Sequence, residues 1–161
     1  MRSLRRRVRG RTFRIEFSKY EFCKGKKEAE IDDYTIYVYT LDMLAIEKLR
    51  ALCQQLPEYE GRSYKTARAR DFYDIYVLVH DAGVNLSAEE NVELIREIFA
   101  AKKVPLSFMS LLQTTKDFHA PDWPSVQESV TGELRDFDFY FDFVINEVKS
   151  LEPLWIEQPP K

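Results

Sequence analysis

The chain has 161 residues, 45% of them hydrophobic and 14% aromatic, which excludes a disordered composition and suits one domain with a real core or a small domain with a helical extension. With only Cys23 and Cys53, and no run approaching the ~18 apolar residues of a membrane span, the sequence predicts a soluble, cytoplasmic, reduced protein with no membrane partner and no disulfide framework. The net charge of −3 hides an asymmetry: residues 1–19 hold seven arginines and Lys19 against Glu16, a local +7, leaving −10 for the remainder.

Met1 to Gly10 reads as a basic arm, expected to be flexible. One reading makes it a frayed, solvated terminus, and another makes it a patch that steers toward nucleic acid or nucleotide phosphates. Thr12 to Ser18, TFRIEFS, alternates strictly, with Phe13, Ile15 and Phe17 on one face and Arg14 and Glu16 on the other, so a half-buried strand is predicted. Tyr20 to Phe22 extends it in this reading, and Lys24 to Lys27 around Gly25 is a turn. Tyr34 to Thr40, YTIYVYT, is rich in β-branched and aromatic residues and predicts a second strand. A sheet this thin needs further strands or a covering helix, and a helix is at hand.

That helix follows. Leu41, Leu44, Ala45, Leu49, Leu52 and Leu56 recur at three- and four-residue spacing and predict an amphipathic helix with this stripe turned inward. Lys48 lies on the stripe, four residues from both Leu44 and Leu52, where an ammonium must reach out along its stem or meet an anion. A basic loop with Arg62, Lys65, Arg68 and Arg70 leads to Phe72–Val79, apolar or aromatic at every position but Asp74, with Asp71 just ahead. Carboxylates at i and i+3 in the first turn of such a helix sit side by side at the edge of a core. They complement the helix dipole, and Lys48 is then their structural ion-pair partner; alternatively, Lys48 and the arginines bind phosphate while the aspartates orient them or hold a divalent cation.

The rest of the chain reads as helical. Ser87 with Glu90 forms a capping box opening a helix to about Lys102, with Leu94, Ile95, Ile98 and Phe99 inward. Pro105 to Leu112 is a shorter apolar segment, Ala120 to Pro124 a loop carrying Trp123, and Ser125 to Val130 one or two turns. A last helix runs from about Glu133 to Leu151 with Phe137, Phe141, Val144 and Val148 inward, and Pro153 ends it. Asp136-Phe137-Asp138 superficially resembles a two-metal aspartate pair, but these acids interrupt a late amphipathic helix and read as solvated. His80 and His119 are isolated, and no cysteine or histidine cluster has metal-ligand spacing, so no metal ligands are assigned. No phosphate-cradling glycine loop is present.

The strings EKLRALCQQLPEY and RARDFYDIYVLV resemble the last two motifs of the AbiEii/AbiGii-type nucleotidyltransferase toxins, the toxin half of type IV toxin–antitoxin systems. Lys48 and Ala51 match a lysine-bearing helix motif, and Arg70, Asp71 and Asp74 match an Arg-Asp-x-x-Asp-hydrophobic pattern. The resemblance runs from about Arg11 into the C-terminal region. It implies an α+β fold, in which a small N-terminal β-sheet remnant of a polymerase-β-like core precedes a mainly helical C-terminal region. The divisions are residues 1–10 as the arm, 11–82 as the core part, 83–152 as the helical region and 153–161 as a tail.

The resemblance also implies catalytic roles for Lys48, Asp71, Asp74 and Glu16, the last as the third carboxylate, and nucleotide contacts for Lys48, Arg68 and Arg70. It implies an NTP with Mg²⁺, transfer to an RNA or protein acceptor, an antitoxin partner and a role in phage defence. The sequence departs from the family in having no Gly-Ser dipeptide and no acidic pair behind one, the motif that places phosphates and metals. Two of three carboxylates are then missing, and the chain reads as the C-terminal portion of such an enzyme, either truncated or a fragment whose other half comes from elsewhere, with doubtful turnover. The alternative is a non-catalytic module that binds an antitoxin or a second copy as a homo-oligomer, with nucleic-acid binding through the arginine arm as a third reading.

Overall fold

A computed structural model describes residues 22–156 in full and the backbone of residues 2–8 and 11–17. It bears out the α+β class: two antiparallel hairpins come first and helices follow to the end of the described chain. Strands β1 (Arg2–Val8) and β2 (Arg11–Phe17) pair with Leu4 opposite Ile15 and Ser3 opposite Glu16. The charge pattern of the arginine-rich start did not suggest a strand there. Strands β3 (Lys27–Ile31) and β4 (Tyr34–Val38) form the second hairpin. Sequence reading missed β3, because KEAEI has little β-propensity and is fixed by its partner strand rather than by itself.

Asp32 and Asp33 both adopt left-handed backbone, with φ of 48° and 64°, and form the two-residue loop of this hairpin. Two successive positive φ values match the right-handed twist of the flanking strands, and aspartate tolerates the conformation better than most residues. Neither β3 nor β4 has a buried residue.

Helix α1 (Leu41–Cys53) starts at Thr40, whose hydroxyl accepts the Met43 N–H at 3.2 Å. Its buried face is Met43, Ala45, Ile46, Leu49, Leu52 and Cys53, continued by Leu56. The expected stripe was therefore rotated. Leu41 is 48% exposed and Leu44 36%, and together with Lys48 they form the flank of the helix instead of its inward face. Apolar residues occupy so many positions of LDMLAIEKLRALC that two registers of the 3.6-residue period fit, and packing against its neighbours selects the one through Ile46 and Leu49.

Helix α2 (Ala69–Tyr76) starts earlier than expected and gives way to a π-helical turn, Val77–Asp81. Val77, Leu78 and Val79 are half-buried, so this segment is less enclosed than its apolar composition suggested. Phe72 is fully buried at the centre, stacked on Phe141 at 5.2 Å and edge-on to Phe137 at 5.4 Å. Both partners come from α6 (Phe137–Ser150), where Phe137, Phe141, Val144 and Val148 are buried as the heptad-like stripe predicts. Asp136 is the N-cap of α6, accepting the Phe139 N–H at 3.0 Å, and Asp138 pairs with Lys116 at 3.1 Å. The Asp-Phe-Asp string is thus a cap and an ion pair.

Helix α3 (Glu89–Ala101) does not use the Ser87 capping box. Asn85 Oδ1 takes the Ser87 N–H at 3.0 Å, the Ser87 hydroxyl bonds Ser150, and Ala88 becomes the N-cap with no side-chain bond. Asn85 competes for the same backbone in a local turn, and so the helix begins later. A 3₁₀ segment, Leu106–Thr114, helix α4 (Lys116–His119) and a short 3₁₀ turn, Ala120–Asp122, lead into α5 (Trp123–Ser129). Trp123 thereby opens a helix where a loop was expected, which the following Pro124 permits because a first turn needs no N–H there. Pro153–Ile156 adds a final helical turn, α7. No helix among the described residues is long and apolar enough to cross a membrane.

Candidate functional site

Lys48 projects from the flank of α1 toward the first turns of α2. Its Nζ donates to Asp71 Oδ1 at 3.2 Å and to Asp74 Oδ2 at 2.6 Å. Helical i, i+3 spacing places the two carboxylates side by side, and the packing of α1 on α2 brings them to the lysine. The remaining oxygens are also engaged: Arg68 Nε donates to Asp71 Oδ2, and Arg70 Nε to Asp74 Oδ1 at 2.9 Å. Arg70 additionally donates to the Ser129 hydroxyl at 2.9 Å and lies over the Tyr73 ring. Five of the six residues expected at the site, Lys48, Arg68, Arg70, Asp71 and Asp74, thus form one network.

Glu16 lies on β2, opposite Ser3, and its side chain falls outside the described residues.

The network has a buried and an open side. Asp71 is 4% exposed, whereas the Lys48 side chain is 27% exposed and that of Arg70 is 47% exposed. A buried carboxylate costs several kcal/mol unless it is paired and hydrogen-bonded, and Asp71 meets that condition through two cations. Within the network three cations face two carboxylates, and a third carboxylate, Asp122, lies next to it against the Ala69 N–H.

The network does not suit Mg²⁺. All four carboxylate oxygens already accept from cations, and among the described residues no group of three or more histidine, cysteine, aspartate or glutamate side chains is placed to hold a metal ion.

The neighbouring basic loop divides into two roles. Lys65 donates to the carbonyls of Gln54 at 3.2 Å and Tyr59 at 2.6 Å, and Gln55 Oε1 accepts the Thr66 N–H at 2.9 Å. Lys65 is therefore a clamp between the end of α1 and the loop, and Arg62 is left exposed.

Two residues that sequence reading did not assign to the site prove close to it. His119 is fully buried, edge-on to Phe72, and its Nδ1 accepts the Arg68 N–H at 3.0 Å. Burial pushes its pKa from 6.5 down to about 4, helped by Arg68 and opposed by Asp71 and Asp122. Asp122 Oδ2 accepts the Ala69 N–H at 3.2 Å. No spacing rule links residues 51 and 53 positions apart, so nothing local could have identified either. Glu47 and Arg50 of α1 form a separate, part-buried pair, with Arg50 Nη2 2.5 Å from Glu47 Oε2. Cys53, buried beside it, has its thiol pKa raised by burial and stays protonated.

The model of the AbiEii family, described as nucleotidyl transferase AbiEii toxin of type IV toxin–antitoxin systems, matches residues 9–143. The chain belongs to this family. Lys48, Arg68, Arg70, Asp71, Asp74, His119 and Asp122 all fall within the matched region of this AbiEii-family chain. No curated protein and no solved structure matches it. Family membership makes it a nucleotidyltransferase-like toxin of a toxin–antitoxin system.

Proposed function

We propose that this AbiEii-family chain binds the polyphosphate of a nucleoside triphosphate at Lys48, Arg68 and Arg70, with Asp71 and Asp74 fixing the positions of these cations. The observation that supports the reading is the convergence of three cations at an edge where Lys48 and Arg70 remain partly open to solvent. Arg70 presents a planar fork suited to phosphate oxygens, and Lys48 a point charge held by two acceptors. Asp71 and Asp74 orient donors and do not coordinate metal in this role. Glu16 is the proposed third carboxylate. Binding without turnover by this chain alone is the expected state, because the sequence carries no Gly-Ser turn with a following acidic pair to place phosphates and two Mg²⁺ ions. Transfer to an acceptor, whether RNA or protein, then depends on that motif.

Titration calorimetry with each NTP, with and without Mg²⁺, tests this. Saturable heat that disappears in a folded Lys48→Ala variant supports it. Absence of heat for every nucleotide, together with a Lys48→Ala variant that differs only in stability, makes the network a structural ion-pair cluster.

A second reading rests on a different surface. Ile31, Tyr34, Tyr37 and Val38 of the second hairpin and Leu41 and Leu44 of α1 are exposed over a short continuous stretch of chain. Such a concentration of apolar side chains favours a protein partner, either an antitoxin or a second copy of the chain. Nucleic-acid binding by the arginines of residues 1–11 remains the third reading, and it predicts steep salt dependence that deletion of those residues abolishes.

A further inference from the structure

Helix α2 starts without a cap of its own. Its N-cap residue, Arg68, sits at φ −141° and ψ 48° and offers no side-chain acceptor to the first turn. The orphan N–H groups of a helix start need acceptors, and here two are supplied from distant sequence. His119 Nδ1 takes the Arg68 N–H and Asp122 Oδ2 takes the Ala69 N–H.

Both acceptors are themselves fixed. The His119 ring lies edge-on to Phe72 and Phe118, with centroids 5.1 and 5.0 Å away, and Asp122 Oδ1 accepts the Ser125 hydroxyl at 3.0 Å. What they hold is the backbone from which Arg68 reaches Asp71. The Asp71 N–H in turn bonds the Arg68 carbonyl at 3.0 Å, so the arginine and the buried carboxylate share one turn of chain.

We propose that His119 and Asp122 are positioning residues for the Lys48 anion site, acting as a long-range substitute for the missing cap of α2; this rests on reading Lys48, Arg68 and Arg70 as that site. Releasing either N–H lets the Arg68 backbone move and separates its guanidinium from Asp71 Oδ2. Asp71 then has Lys48 as its remaining cation and holds that ammonium more tightly, away from an incoming phosphate. The orphaned Nε2 of His119 fits this division of labour. With Nδ1 accepting, the neutral ring carries its proton on Nε2, which has no acceptor among the described residues, so the ring is held in place by packing and by the Arg68 bond.

The test uses the full chain, with inorganic triphosphate as the probe and the Arg68 Nε–H resonance as a second readout. Asp122→Ala removes one acceptor at a part-buried position, His119→Phe removes the other while keeping an aromatic ring, and His119→Asn places an amide oxygen near the Nδ1 position. In the wild type the Arg68 Nε–H, which donates to Asp71 Oδ2, is expected to exchange slowly. Asp122→Ala and His119→Phe are expected to lose that protection and to weaken triphosphate about tenfold, the scale of losing an outer-shell partner. His119→Asn is expected to restore both properties.

An Arg68 resonance unchanged in folded Asp122→Ala, or an affinity unchanged despite loss of protection, overturns the proposal. If His119→Phe does not fold, Asp122→Ala decides. Absence of triphosphate binding by the wild type refutes the anion reading, and with it the proposed link to ligand binding. In that case the Arg68 resonance still shows separately whether the two acceptors position the arginine.

Discussion

At the scale of single residues, the Lys48 network was legible because its members sit where periodicity forbids them: a lysine among leucines, and two acids at i and i+3 in an aromatic run. What periodicity could not show is that Lys48 lies on the flank of α1, since that depends on which of two registers packs. His119 was unreadable for a stronger reason, as its partner is a backbone N–H far away in sequence. Its depressed pKa gives a prediction with a definite sign. The unfolded state takes up the proton near pH 6.5 and the folded state only near 4, so the contribution of neutral His119 is complete above pH 6.5 and disappears as pH falls toward 4. The full difference is roughly 3 kcal/mol. Urea unfolding of wild type and His119→Asn at pH 7.5 and 4.5 measures it: the wild type loses stability over that interval more steeply, and parallel losses contradict the assignment.

At the scale of elements, helix existence followed from apolar spacing, while helix starts did not follow from local cap signatures. Ser87 and Glu90 have the spacing of a capping box, yet Asn85 takes the Ser87 N–H first. Asp136 looked like a stray helix-face acid and is the cap of α6. Replacing it by alanine is expected to lower stability by about 1 kcal/mol, the usual cost of an N-cap, and to leave nucleotide affinity unchanged. Thermal unfolding and calorimetry on that one variant check both parts. A loss of affinity at constant stability contradicts a purely structural role. Strand β3 shows the converse limit, for a segment of poor β-propensity becomes a strand because β4 and the Asp32–Asp33 loop impose it.

For the whole molecule, the order of strands before helices could be read from the sequence, because alternation of period two gives way once to a period of 3.6, and the family resemblance implied the α+β class. Surface composition was less readable, since the exposure of Leu41 and Leu44 emerges only when α1 is packed. That exposure carries a prediction of its own. A Leu41→Glu, Leu44→Glu double variant is expected to fold with unchanged stability and to lose any concentration-dependent association that the wild type shows in sedimentation equilibrium. Destabilisation of the isolated chain by the two substitutions contradicts an exposed, partner-facing role.

Family membership and the Lys48 network meet in one claim, that these cations receive a nucleotide's phosphates. The most direct measurement follows the side-chain nitrogens of Lys48, Arg68 and Arg70 by NMR while ATP is added to the full chain. All three resonances are predicted to shift together along one saturable curve. If they stay fixed while only signals from the arginines of residues 1–11 move, the phosphate is bound elsewhere and the claim is contradicted.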